Sequence, residues 1–163
     1  MFPAEIEDLA QAVVARAHDA GWTIATAESC TGGLVAGAIT QVAGSSMVLD
    51  RGFVTYSNAA KTALLGVGRE VLEAHGAVSR ETAEAMAAGG LTRAGVNLAV
   101  AITGIAGPGG GSPEKPVGLV HFATAAADGL IWREARFGDL GREAVRTAAV
   151  RQALEMLLAR LDG

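Results

Sequence analysis

The sequence predicts an α/β protein, a three-layer αβα sandwich built on a mixed, mainly parallel sheet. Three observations predict it. An amphipathic helical run leads into a short strand-like segment that turns through glycines into a second apolar helix. A charge-free, β-rich segment at 97–103 sits between helical stretches and a glycine loop. Two further strand-like segments, joined by Asp128-Gly129, read as an antiparallel hairpin ahead of a long closing helix.

Each element follows from local chemistry. Pro3 suits the first position of a helix, and Ile6, Leu9, Ala10, Val13, Val14 and Ala17 then recur at helical spacing until Gly21. Residues 22–27 are apolar and rich in β-formers. They run through Glu28-Ser29-Cys30-Thr31-Gly32-Gly33 into a helix over 34–42. Gly44-Ser45-Ser46 marks a turn, after which 52–57 reads as a second strand and 58–65 as a short helix capped by Asn58. Helices over 70–74 and 80–93, the latter capped by Ser79, bridge to the strand at 97–103. With Pro108, Pro113 and Pro116 at or just beyond it, the glycine-rich segment 104–113 cannot be regular structure. The hairpin takes 117–125 and 130–137, and the closing amphipathic helix 142–161. No repeat or linker interrupts the pattern, so 1–163 is read as one domain. Three polar clusters, 29–33, 56–61 and 103–111, fall just after strands, where α/β sheets gather their ligands. They are predicted to converge on one rim.

Composition narrows the function classes. Half of the 163 residues are hydrophobic but only 4% aromatic, so the core must be assembled from small aliphatic side chains. A chain of this length buries about two-thirds of its unfolded surface and needs no covalent staple. The net charge of −4 provides no broad attraction for nucleic acid or an anionic membrane, so no partner of either kind is expected. The charge-free stretches 31–49 and 94–113 are interrupted by polar residues, glycine or proline, and read as buried rather than membrane-spanning. The start of the chain lacks a basic, apolar secretory signal. Cys30 is the one cysteine, which excludes an internal disulfide and fits a reducing compartment, so a cytoplasmic setting is expected.

Several chemistries are missing their markers. There is no Gly-Lys of a phosphate-binding P-loop, no GxGxxG and no GxSxG elbow. His18, His75 and His121 share no metal-ligand spacing, and neither a metal nor a cofactor is called for. What remains is AESCTGG, where Ser29 provides a hydroxyl and Cys30 a thiol, and where the backbone of Cys30, Thr31, Gly32 and Gly33 can face a ligand. A lone cysteine is more often a small buried hydrophobe, and the turn itself is as consistent with a tight connection as with a site. Lys61 and Lys115 are the only lysines in a chain that otherwise uses arginine. A desolvated lysine can lose its proton and act as a base, whereas a solvated helix charge is the ordinary alternative. Tyr56, the only tyrosine, can relay a proton or simply half-bury on a strand. Thr103, Gly104 and Gly107 offer a hydroxyl and backbone donors for a phosphate or oxyanion. Arg142 and Arg146 lie four apart at the start of the last helix, where a bound anion would offset their conflict with the helix dipole.

The segments AESCTGG, GSS, RGFVTYSNAAK, HGAVS, TGIAGPGGGSPEKPVG and GREAVR, in this order and spacing, resemble the C-terminal domain of the competence/damage-inducible protein CinA in its stand-alone form. The resemblance runs from about Thr23 to Arg151. It implies a nicotinamide-nucleotide amidohydrolase, which converts nicotinamide mononucleotide to nicotinic acid mononucleotide and ammonia in pyridine nucleotide salvage. It also implies a nucleophile at Ser29, with Tyr56, Lys61 and Thr103 matching the family's tyrosine, lysine and TGIAGP threonine. Larger members carry an additional N-terminal domain associated with ADP-ribose pyrophosphatase activity, of which this sequence has no trace. The turn before Arg142 reads GDLG where the family has a shorter GD, leaving the phosphate role open between Arg142 and Arg146. A non-catalytic nucleotide-binding regulatory module is the alternative, and it needs no base. Small-residue helices such as 83–90 suggest a homo-oligomer, a dimer in first place.

Overall fold

The structure is a computed structural model that describes residues 1–163. Helix α1 (Ala4–Ala20) begins after Pro3 and stops at Gly21. Strand β1 (Ile24–Glu28) is entirely buried and leads through the 29–33 turn into α2 (Leu34–Thr40). A single 3-10 turn (Ser45–Met47) precedes β2 (Leu49–Val54). Three helices follow, α3 (Asn58–Leu65), α4 (Arg69–His75) and α5 (Arg80–Ala94). Strand β3 (Leu98–Gly104), the hairpin of β4 (Leu119–Ala126) and β5 (Gly129–Arg136), and α6 (Arg142–Asp162) complete the chain.

The sheet runs β2-β1-β3-β4-β5. Strands β2 and β3 flank β1 in parallel, while β4 pairs antiparallel to β3 and β5 antiparallel to β4. The sheet is therefore evenly mixed rather than mainly parallel. A parallel neighbour for β3 would need a crossover, usually helical, and the glycine- and proline-rich loop after it cannot make one. Instead the loop folds straight back: Ile105 N–H donates to Leu119 O and Gly118 N–H to Ile105 O.

The two faces of the sheet carry different side chains. Ile24, Val100, Ile102, Val120 and Phe122 form one core with α1, α2 and α6. Ala27, Ala101, Ala123 and Ala125 form the other with α3, α4 and α5. The alanine face lets α5 lie close to the sheet. Ala83, Met86, Ala87 and Gly90 are fully covered by this packing, so the small-residue stripe expected to join two subunits is spent inside the molecule.

Two local expectations shift. β2 starts three residues earlier than read, because an exposed edge strand tolerates Asp50 and Arg51, which pair with each other. The cap of α3 is Ser57, whose hydroxyl accepts from Ala60 N–H at 3.0 Å, with Asn58 one residue inside.

Adjacent glycines on α5 should respond oppositely to alanine. A Cβ on Gly89 would meet Leu65 O at 1.9 Å, whereas one on Gly90 meets Ala27 and Ala99 at an ordinary 3.6 Å. Gly89→Ala should destabilise by about 2 kcal/mol or more through forced backbone movement. Gly90→Ala should be neutral or stabilise by up to about 1 kcal/mol through helix propensity. Chemical denaturation of both variants measures the contrast, and equal losses would refute it.

Candidate active site

Glu28 at the end of β1 stands in register with Val54 on β2 and Ile102 on β3. The next residues, Ser29, Thr55 and Thr103, therefore reach the same edge. Hydrogen bonds tie this edge together: Ser29 N–H donates to Ile102 O at 2.9 Å and Thr55 N–H to Glu28 O at 2.8 Å. Because the chain passes from β1 to one neighbour and later returns to the other, the β1–β3 boundary is a topological switch point, where crevices form in such sheets.

Ser57 starts α3 immediately beyond this edge, and Lys61 falls one turn into the helix. Its Nζ donates to Ser29 Oγ at 3.1 Å and to Thr55 O at 2.8 Å. The residue is only 1% exposed and joins no ion pair, so the solvated reading of Lys61 is wrong. Burial pulls its pKa below the ordinary lysine value, favouring the neutral amine.

The 29–33 turn is held from two sides. The Glu28 carboxylate, wholly buried, accepts from Thr31 Oγ1 at 2.7 Å, Val35 N–H at 2.9 Å, Thr26 Oγ1 at 3.0 Å and Ala36 N–H at 3.0 Å. From α6, Arg146 donates to Cys30 O at 3.0 Å and Thr31 O at 3.4 Å. Gly32 and Gly33 adopt φ of 57° and 99°, the left-handed region that side chains resist, which lets the chain reverse into α2. The N–H groups of Cys30, Thr31 and Gly33 donate to no other residue, but Thr31 is wholly buried, and of the three only Cys30 lines the cleft that opens here.

A cleft of about 270 Å³ opens onto this cluster, lined by Ser29, Cys30, Tyr56, Lys61, Thr103, Gly104, Gly107 and Arg142, with the 77–78 and 105–110 segments as walls. Wider hollows exist, including one of about 610 Å³ between the starts of α1 and α6, but they are lined by neither Ser29, Cys30 nor Lys61. Thr103 is buried and donates its hydroxyl hydrogen to Ala77 O at 2.7 Å, so toward a ligand its oxygen can only accept. Tyr56 is 60% exposed, and its hydroxyl accepts from Arg142 at 2.8 Å, with no hydrogen bond to Lys61. The other arm of Arg142 donates to Gly107 O at 2.8 Å. Arg142 thus stands at the cleft mouth, while Arg146 lies outside the lining. His121, although paired in register with Thr103, turns its Nδ1 to accept from Trp132 Nε1 at 3.0 Å and lines no part of the cleft.

Sequence reading missed Glu28 and the Thr55 carbonyl. A backbone oxygen leaves no trace in sequence. For Glu28 the signal was present: a charged residue closing an otherwise apolar strand segment, flanked by Thr26 and Thr31.

The CinA C-terminal domain family matches residues 6–161. The chain belongs to this family. Among similar proteins, the nicotinamide-nucleotide amidohydrolase PncC of Shigella flexneri is 54% identical over 153 residues, covering 93% of this chain and 89% of that one. A CinA-like protein of Mycolicibacterium gilvum is 55% identical over 88% of this chain but only 34% of its own length, so the CinA domain there is part of a larger protein. The crystal structure of the competence/damage inducible protein CihA from Agrobacterium tumefaciens superposes with a TM-score of 0.97 at 58% identity, covering 100% of this chain and 99% of that one. A CinA superfamily structure from Escherichia coli gives 0.90 at 37% identity, covering 94% and 88%.

In this CinA domain the two nucleophile candidates separate physically. Burial pushes the Cys30 thiol up to about 11, with the neighbouring Glu28 carboxylate adding to the rise. Its own backbone N–H, the Arg146 cation and any charge on Lys61 pull the other way without offsetting burial. Near pH ~8 only about one thiol in a thousand is then thiolate. Native protein should resist iodoacetamide at Cys30 and react at the rate of unfolding. Rapid labelling of the folded chain, followed by mass spectrometry, would restore the thiol as a nucleophile.

Proposed function

We propose that this chain hydrolyses the carboxamide of nicotinamide mononucleotide, yielding nicotinic acid mononucleotide and ammonia in pyridine nucleotide salvage. The observation that carries the reading is the 3.1 Å approach of a buried lysine amine to the Ser29 hydroxyl. A module that only binds nucleotides has no use for a desolvated base against a nucleophile. The amidohydrolase name borne by a relative matching nearly the whole chain supplies the substrate.

In this mechanism neutral Lys61 takes the Ser29 proton as Oγ bonds to the carboxamide carbon. The N–H of Cys30, which lines the cleft, stabilises the resulting oxyanion, a contribution of about 3 kcal/mol in comparable sites. Lys61 returns its proton to the amide nitrogen, the C–N bond breaks and ammonia leaves. Water, deprotonated by Lys61, then attacks the Ser29 ester, Lys61 returns that proton to Ser29 Oγ as it leaves, and the released acid ionises to its carboxylate. Thr55 O holds one Lys61 hydrogen and so keeps the nitrogen on Ser29. Arg142, with Tyr56 and the glycine loop, receives the phosphate, while Arg146 supports the turn. Thr103 braces the cleft wall. Residues 1–163 act as one domain, and the single cysteine suits a cytoplasmic setting. No helix is long and apolar enough to cross a membrane.

Ammonia release from nicotinamide mononucleotide tests the assignment. Ser29→Ala and Lys61→Met should each lower kcat by about a thousandfold or more, and full activity of Ser29→Ala would end the nucleophile role. The required form of Lys61 is the neutral one, so kcat/KM should fall as pH drops through its lowered pKa and level off above it. A pH-independent rate across that range would remove Lys61 as the base.

Arg142→Ala should raise KM for nicotinamide mononucleotide by about tenfold, the cost of one charge-assisted contact, and change KM for phosphate-free nicotinamide riboside much less. Equal changes for the two substrates would move the phosphate elsewhere.

A further inference from the structure

Glu28 is a wholly buried acid adjoining the reactive serine, and its four donors come from three places: Thr26 on β1, Thr31 in the turn, and Val35 and Ala36 in the first turn of α2. Helix α2 has no local side-chain cap, since its N-cap is Gly33. The carboxylate caps it from the preceding strand instead. Two of the helix's opening N–H groups are thereby consumed and cannot serve a substrate anion, which leaves Cys30, Thr31 and Gly33 as the turn's N–H groups without a partner, of which only Cys30 lines the cleft.

We infer that Glu28 is a positioning residue for the hydrolysis: its carboxylate locks the 29–33 turn to β1 and α2, so that Ser29 Oγ stays on Lys61 and the Cys30 N–H stays beside it. The inference rests on the reading of Ser29 and Lys61 as nucleophile and base. Charge-assisted hydrogen bonds to a buried acceptor are the stronger kind, and four of them on one carboxylate fill both oxygens. A glutamine at this position would turn an NH₂ toward a fixed backbone donor, Val35 N–H or Ala36 N–H, and force the turn to shift. The phosphate site at Arg142 stands on α6 and the glycine loop, away from these bonds. Loosening the turn therefore acts on the chemical step more than on substrate capture.

The test compares Glu28→Gln, Thr31→Val and Thr31→Ser with the parent protein. It uses kcat and KM for ammonia release, the rate at which diisopropyl fluorophosphate labels Ser29, and the folded fraction by circular dichroism. Glu28→Gln and Thr31→Val should lower kcat by about 10- to 100-fold, the scale of a small misplacement at a reacting centre, with KM within about threefold. Ser29 labelling should slow in parallel, and Thr31→Ser should recover most of what Thr31→Val loses. If Glu28→Gln fails to fold, Thr31→Val and its rescue decide the matter alone. Parental kcat in Thr31→Val, or activity lost only in proportion to the folded fraction, would overturn the inference. Should the parent release no ammonia from nicotinamide mononucleotide, the substrate assignment falls, and the labelling rates still judge the positioning role.

Discussion

A lysine amine held out of water without a carboxylate partner is the constraint on which the site depends. Lys61 has two neighbours in place of solvent, the Thr55 carbonyl and the Ser29 hydroxyl. Neither is charged, so these contacts and the nearby Cys30 only partly compensate the ammonium form for its lost hydration, and the pKa of the amine falls below the ordinary lysine value. The same burial that would be a flaw in a structural lysine is what the proposed mechanism requires of its base. The contrast with Cys30, one residue from the serine, follows from the same physics with the opposite sign: desolvation favours the neutral form of both groups, arming an amine and disarming a thiol.

The rest of the fold places that amine. Parallel pairing of β2, β1 and β3 delivers three chain ends to one rim, and backbone hydrogen bonds from Ser29 to Ile102 and from Thr55 to Glu28 hold them in step. The antiparallel hairpin that follows lets the glycine loop close directly over the rim, with Arg142 bracing it at the mouth. On the far side of the sheet, the alanine face draws α5 in and fixes the 77–79 segment that Thr103 grips.

Much of this was legible in sequence because helices and turns announce their ends chemically. Gly21 and Ser79 mark α1 and α5 where expected, and the uncharged run ending at Gly104 is the buried β3. The convergence of Ser29, Lys61 and Thr103 followed from their places after strands. Burial on an edge was less legible. The polar Asp50 and Arg51 hid the start of β2, since an exposed strand has no apolar alternation to display. Side-chain direction was not legible at all. Arg142 and Arg146 share a helix face in sequence, yet one turns to the cleft mouth and the other to the carbonyls of the turn. The sequence left Tyr56 between a proton relay and a half-buried strand position, and its exposed hydroxyl instead meets Arg142. The evenly mixed sheet also escaped, because strand order depends on what the loop after β3 cannot do.

The presence of only two lysines makes the central claim directly observable. Protein labelled with ¹³C at lysine Cε would give two signals, with that of Lys61 assigned through Lys61→Arg, and NMR titration would read the charge of each amine. Lys61 should titrate below the ordinary lysine value of about 10.4, and below Lys115 in the same protein. A Lys61 signal that stays protonated up to the ordinary lysine range would mean that the amine beside Ser29 cannot accept its proton, and would contradict the mechanism.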